Sequence, residues 1–255
     1  MSEGRPDVVY HLAALSSVGR SWENPGEVLH DNVAMTLNVL EAVRREAPHA
    51  TVLVPGTGEL YGRPDELPTR EDAPLRPQNP YAVSKASADL LAGLYADAHG
   101  LAIIRARPFN HAGPGQQPIF AIASFARQAA AGRVAGDDSI RIVTGNPDTR
   151  RDFTDVRDVV RAYRMLVESG ARGVFNVCSG RSESAAGLVA HITRLLAPAR
   201  VEHVIDPALV RDHEVMEIRG SHDRLTGLTG WQPEIPLERT LADTLAWWET
   251  ELAPE

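Results

Sequence analysis

Ala50-Thr51-Val52-Leu53-Val54-Pro55-Gly56-Thr57-Gly58-Glu59 is the stretch on which the fold turns. A short apolar run, rich in β-branched residues and ended by a Gly-Thr-Gly turn, reads as a buried strand. Before it, residues 31–46 place Val33, Leu37, Leu40 and Val43 at helical spacing, behind an Asp31 or Asn32 cap. Further back, Pro6-Asp7-Val8-Val9-Tyr10-His11-Leu12-Ala13 is a second short apolar run. After the Gly-Thr-Gly turn, Asn79-Pro80 opens a helix, with Asn79 as cap and Pro80 at the first helical position, where its missing N–H costs nothing. That helix ends near His99-Gly100, and Leu101 to Phe109 supplies a third strand. Strands separated by helices specify a parallel α/β sheet with right-handed crossovers.

Such a sheet binds its ligand outside the carboxyl ends of its strands. Three segments leave three such ends: His11-Leu12-Ala13-Ala14, Gly56-Thr57-Gly58-Glu59, and Asn110-His111-Ala112-Gly113-Pro114-Gly115-Gln116. The helix between the second and third strands carries Tyr81-Ala82-Val83-Ser84-Lys85, in which Lys85 is the only lysine of the chain; the other 25 basic residues are arginine. Residues i and i+4 share a helix face. A lysine is compact and flexible where an arginine is a planar fork. An ammonium beside a phenol is expected to lower its pKa from about 10 toward working pH. The competing reading is a solvated surface lysine.

Composition narrows the classes. Of 255 residues, 43% are hydrophobic and 24% charged, as in an ordinary folded domain, and the length suffices for a substantial core. The net charge is -8 and the arginines are dispersed, which argues against nucleic-acid binding. A single cysteine, Cys178, excludes an internal disulfide framework and a multi-thiolate zinc site; its neighbours Val174-Phe175-Asn176-Val177 read as a buried strand. Nothing indicates a metal site. No apolar run approaches about 18 residues and Met1–Pro6 lacks a signal-peptide pattern, so a cytoplasmic protein without a membrane partner is expected.

Taken together, His11–Ala14, Gly56-Thr57-Gly58-Glu59-Leu60-Tyr61-Gly62, Tyr81–Lys85, Arg107-Pro108-Phe109-Asn110 and Arg151-Asp152-Phe153-Thr154-Asp155-Val156-Arg157-Asp158 resemble, in order and spacing, the extended short-chain dehydrogenase/reductase (NAD-dependent epimerase/dehydratase) family that modifies nucleotide sugars. The resemblance runs from residue 7 to the C-terminal helix. It implies a Rossmann-type doubly wound parallel sheet with a smaller C-terminal substrate-binding region. Residues 1–109 would form the dinucleotide-binding part, with 153–178 and 236–252 returning to it; 110–152 and 179–235 would bind substrate. Within the family, Phe109 to Gln116 is most similar to the reductases that turn GDP-4-keto-6-deoxy-D-mannose into GDP-D-rhamnose. The related 4,6-dehydratases share the Asn-His pair but continue with Ser-Pro-Arg-Arg-Gly. Ser16 to Trp22 and Tyr81 to Ser87 fit the reductases too.

The resemblance assigns roles residue by residue. Tyr81 is the general acid for the C4 oxygen, Lys85 holds the nicotinamide ribose, and Thr57 hydrogen-bonds the same oxygen. Glu59 is a base in a dehydratase and a spectator in a reductase. Leu12, Ala13 and Ala14 let NADP or NAD lie flat, and Pro108 and Phe109 offer backbone groups to it. Ser17 reaches the sugar or caps a helix; Asn110, Arg151, Arg211 and Glu214 contact the nucleotide, its diphosphate or its ribose. For the arginines and Glu214 plain surface ion pairing is the competing reading, and Asp155 and Asp158 are expected to cap or salt-bridge the helix beginning near Val156. A GDP-linked sugar is the expected partner and a homodimer the expected assembly.

One departure stands against this. The family opens with a strand and a Gly-x-x-Gly-x-x-Gly turn that brings backbone close to the pyrophosphate. Nothing like it precedes residue 7, so roughly sixty family residues, including the one choosing NADH or NADPH, lack a counterpart. A misplaced start or a fragmentary gene is the favoured explanation. A dehydratase or epimerase is the alternative enzyme, and a non-catalytic sugar-nucleotide binder the alternative of another class.

Overall fold

Alternating apolar strand residues and the helices between them build the first of two units in the computed structural model, which describes residues 5–210 and 214–253. β1 (Val8–Tyr10) leads through α1 (Val18–Glu23) and α2 (Pro25–Glu46) to β2 (Thr51–Pro55), and α3 (Pro80–His99) leads to β3 (Ala102–Pro108). The chain then enters the second unit with β4 (Asn110–Ala112), α4 (Ala121–Ala135), β5 (Ser139–Thr144) and β6 (Arg150–Asp155). α5 (Val156–Glu168) brings it back to β7 (Gly173–Val177). β8 (Ser182–Ser184), α6 (Ala185–Leu196), β9 (Arg200–Ile205) and β10 (Glu217–Ile218) belong to the second unit, α7 (Asp223–Thr229) to the first, and α8 (Leu237–Leu252) to the second.

In the first unit the sheet is parallel throughout, in the order β1-β2-β3-β7. Val52 and Val54 of β2 and Ile103 of β3 turn to one face, under Leu40 and Val43 of α2 and Ala92 of α3. Leu53, Ile104 and Ala106 turn to the other, under Val159, Ala162 and Leu166 of α5 and Leu225 of α7. Helices on both faces explain why Ala50–Pro55 shows no polar alternation. The architecture is the Rossmann-like α/β fold read from the sequence.

The local signals around α3 act as expected. Asn79 Oδ1 accepts from the Ala82 N–H at 2.7 Å, Pro80 occupies the first turn, and Gly100 ends the helix in the left-handed region at φ 67°. α2 differs. It starts at Pro25, six residues before the expected Asp31 or Asn32 cap, because Pro25 fits the first turn and Asn32 has another task.

The second unit has its own core. β4, β6 and β10 form a parallel sheet with β8 antiparallel on β6, and β5 pairs with β9. Here the structure corrects the expected return of residues 236–252 to the first sheet: α8 buries Leu241, Leu245 and Trp248 with Phe125, Ala126, Ala129 and Ala130 of α4 and Leu188 and Ile192 of α6. The alanine face of α4 makes room for the large side chains of α8, a complementarity that one amphipathic helix alone does not reveal. Residues 220–232, expected in the substrate region, instead add α7 and the fully buried Trp231 to the first unit's core. Among the described residues no helix is long and apolar enough to cross a membrane.

Candidate active site

Thr57 sits at the carboxyl end of β2, capping a short 3-10 turn (Gly58–Tyr61); its Oγ1 accepts from the Glu59 N–H at 3.3 Å. Gly58 is required there, because a Cβ would stand 2.9 Å from the Phe109 ring. The Thr57 hydroxyl is near enough to the Tyr81 phenol to work against the rise of its pKa. Glu59 Oε2 accepts from Asn79 Nδ2 at 3.4 Å, so the residue that caps α3 also ties Glu59 to the start of the Tyr81 helix. Lys85 lies one turn beyond Tyr81 and is buried, with 7% of its surface exposed. Thr57, Glu59, Tyr81 and Lys85 therefore converge in the first unit.

The electrostatics correct one expectation. Burial pushes the Tyr81 phenol up to about 12; the Thr57 hydroxyl works against that and the Glu59 charge adds to it. Burial likewise pulls Lys85 down to about 8, against the charge of Asp89. The phenol is therefore not brought toward working pH in this state, because desolvation sets the direction of the shift for both groups. Tyr81 is protonated at neutral pH, the form a proton donor needs.

The loop after β1 presents Leu12 and Ala13 exposed and Ala14 partly so. It is held by Asn32 of α2, a residue whose role the spacing did not indicate. Asn32 Oδ1 accepts from the Leu15 N–H at 2.8 Å, while its Nδ2 donates to the Leu15 carbonyl at 3.0 Å and to Ser84 Oγ at 2.8 Å. Ser84 in turn donates to the Tyr81 carbonyl at 2.8 Å. One buried amide thus fixes the Leu12–Ala14 surface relative to the Tyr81 helix. Ser17 caps α1, accepting from the Arg20 N–H at 3.3 Å. Pro108 and Phe109 are buried: the Phe109 ring stacks on Tyr61 at 6.3 Å, and its N–H donates to the Val177 carbonyl at 2.9 Å.

Other candidates lie in the second unit. Asn110 starts β4 and pairs with Phe153. Arg151, on β6, donates through one Nη1 to the Arg150 and Val215 carbonyls, both at 2.9 Å. Glu214 is half-buried, and its Oε2, shut off from solvent, has no hydrogen-bond partner among the described residues. Arg211 lies outside the described residues. Asp155 accepts from the Arg157 N–H at 2.9 Å at the start of α5, the capping role weighed for it. No group of three or more metal-ligating side chains occurs among the described residues.

With this geometry in view, comparison with known proteins decides the family. The family model described as GDP-mannose 4,6 dehydratase matches residues 1–244. The chain belongs to that family. It is 40% identical over 253 residues to GDP-6-deoxy-D-mannose reductase from Pseudomonas aeruginosa, covering 98% of this chain and 83% of that one. The structure of RMD from Pseudomonas aeruginosa complexed with NADPH superposes with a TM-score of 0.89 at 37% identity, covering 98% and 83% of the two chains. That of Thermus thermophilus UDP-glucose 4-epimerase complexed with NAD does so with a TM-score of 0.83 at 26% identity, covering 96% and 78%. The enzyme class read from the motifs, NAD(P)-dependent oxidoreductases of nucleotide sugars, is the class in which the chain falls.

Proposed function

We propose that this protein is a nucleotide-sugar 4-keto reductase that converts GDP-4-keto-6-deoxy-D-mannose to GDP-D-rhamnose. The observation that carries the reading is the phenol of Tyr81, near Thr57, kept protonated by burial and one helical turn from the chain's only lysine. The similarity to GDP-6-deoxy-D-mannose reductase supports the substrate.

The residues present suit the nicotinamide half of a cofactor. The exposed Leu12-Ala13-Ala14 surface is free of large polar side chains, Lys85 offers an ammonium to a ribose, and Pro108 and Phe109 offer backbone alone, since their side chains are interior. The reduced cofactor, NADPH or NADH, would supply the hydride. The chain supplies the proton: Tyr81 gives its hydroxyl hydrogen to the C4 oxygen, and Thr57 hydrogen-bonds the same oxygen. Glu214, with a carboxylate oxygen that has no partner among the described residues, is suited to ribose hydroxyls, and Arg151 to a phosphate. Asn110 and Arg211 complete the proposed nucleotide contacts, and Ser17 is assigned to its cap.

Glu59 favours a second reading. A carboxylate tied near Tyr81 is what a 4,6-dehydratase uses to take a proton from carbon, and the matching family model bears that name. The deciding experiment offers the purified chain GDP-4-keto-6-deoxy-D-mannose with NADPH or NADH, and separately GDP-mannose without added reductant. Stoichiometric NAD(P)H oxidation supports the reductase; turnover of GDP-mannose alone supports the dehydratase; sugar-nucleotide binding without either supports a binder. A homodimer is part of the proposal, since exposed Val83, Leu90 and Leu94 on α3 and Leu29 and Leu37 on α2 offer an apolar helical surface. A sedimentation mass that does not fall on Leu90→Glu would exclude this surface.

A further inference from the structure

Three titratable side chains lie at four-residue intervals on α3, and one of them has no place in the chemistry so far. α3 carries Tyr81, Lys85 and Asp89 on successive turns of one face. Asp89 is 1% exposed and sits in a fork of guanidinium groups from β3. Arg107 Nε donates to Oδ1 at 3.1 Å and Nη2 to Oδ2 at 2.8 Å, while Arg105 Nη1 reaches Oδ2 at 3.3 Å. Arg107 is itself locked: its Nη1 donates to the Tyr61 hydroxyl at 2.9 Å, which donates to Asn176 Oδ1 at 2.7 Å, and Asn176 Nδ2 donates to the Thr69 carbonyl at 3.1 Å. The carboxylate has a fixed position.

We propose that Asp89 is a positioning residue for Lys85: clamped by Arg107 and Arg105, it holds the one lysine of the chain as an ammonium beside the Tyr81 phenol. The proposal rests on the reading of Lys85 as the ribose-holding lysine. A buried lysine loses its proton readily unless a carboxylate opposes the cost of desolvation. Asp89 is the group that does so, acting through space while its oxygens bond guanidinium. The other titratable groups around the pair do not replace it. His11, after β1, bonds Thr36 Oγ1 through Nε2 at 3.2 Å, and its pKa is lowered by burial and then by Lys85 itself, so it is a neutral neighbour. Tyr81 is protonated, and Glu59 acts on Tyr81. Arg105 and Arg107 compete with Lys85 for the charge of Asp89.

The single lysine makes the test direct. Lysine labelled with 13C at Cε gives one side-chain signal, whose pH titration reports Lys85 in the whole chain without cofactor or substrate. The wild-type midpoint is expected near 8. Asp89→Asn should lower it by about one unit or more, because the opposing charge is gone. Arg105→Gln, at a position partly open to solvent, should raise it by a few tenths of a unit, because a competitor for the same carboxylate is gone. Opposite shifts support the proposal. A role in packing alone would loosen the site in both variants and send both midpoints up toward about 10.4. If Asp89→Asn does not fold, Arg105→Gln decides by itself: an unmoved midpoint overturns the coupling. Shifts of the expected sign in a chain that binds no NAD(P)H would instead leave the coupling standing and remove the cofactor reading.

Discussion

Both units bury aspartates, and Asp152 and Asp158 of the second unit are used differently from Asp89 of the first. In the second unit Asp152 is fully buried and accepts from the backbone N–H groups of Ser179 and Gly180, at 2.8 and 3.0 Å, and from the Ser179 hydroxyl at 2.6 Å. Asp158 accepts from the N–H groups of Glu234 and Ile235 at 2.9 and 2.8 Å. These carboxylates staple loops, filling backbone donors that would otherwise be orphaned. In the first unit Asp89 meets guanidinium groups and stands one turn from a buried lysine. The lesson is that a buried carboxylate served by N–H groups maintains a fold, whereas one set among cations sets the charge of its neighbours.

The largest effect should come from removing the proton donor. Tyr81→Phe is expected to reduce NAD(P)H-dependent turnover by about 10²–10⁴-fold while leaving the melting temperature at or above that of the wild type. The ring is kept and only the hydroxyl is lost, so a variant that lost activity by unfolding would show in the melting curve. Retention of near-full turnover would remove Tyr81 from the chemistry.

Asp152→Ala tests the other side of the contrast. Three donors lose their acceptor in a buried place, which should cost about 3 kcal/mol or more in urea unfolding. The Lys85 midpoint should not move. A shift there would mean that the two kinds of aspartate are not separable.

Lys85→Met should stabilise the protein at neutral pH, by on the order of 3 kcal/mol, as it relieves the cost of charging a buried amine whose pKa falls from 10.5 to about 8. The sign follows from proton counting. Below about 8 both folded and unfolded chains carry the proton, and the full cost is present. Between about 8 and 10.5 the unfolded chain keeps a proton that the folded chain has released, so the wild type gains stability as the pH rises. The gap between the two proteins should therefore close toward pH 10, measured by denaturant unfolding across that range. A gap that is absent at pH 7 would show that Lys85 carries no such cost.

How far these features could be read from sequence depends on whether their cause is local. β2 was legible because burial on both faces leaves an unbroken apolar run, and α3 because Asn79, Pro80 and Gly100 mark its ends within one turn. The start of α2 was not, since Asn32 resembles a cap while its amide binds Leu15 and Ser84 from mid-helix. The grouping of Thr57 with Tyr81 and Lys85 was implied by the family resemblance, while helix spacing alone joined Tyr81 to Lys85; the high phenol pKa was not legible, because burial depends on packing that spacing does not encode. Asp89 had a visible signal as the third member of the Tyr81, Lys85 series, but its guanidinium clamp comes from a strand 16 and 18 residues away.

The smallest expected effect divides the charged groups of the first unit themselves. Glu59 lies near Tyr81, yet its one hydrogen bond to a side chain, from Asn79, is long at 3.4 Å, and it is not buried as Asp89 is. If reduction needs only a proton from Tyr81, then Glu59→Gln keeps the shape and the Asn79 contact and should change NAD(P)H-dependent turnover by no more than about threefold, or about 0.7 kcal/mol. The loss of its charge should favour the phenolate slightly, moving the alkaline limb of the rate profile down rather than up, since Glu59 raises the Tyr81 pKa. Turnover of GDP-mannose without added reductant, abolished by Glu59→Gln with sugar-nucleotide binding intact, would make Glu59 a proton-abstracting base, and the protein a dehydratase in chemistry as well as in family.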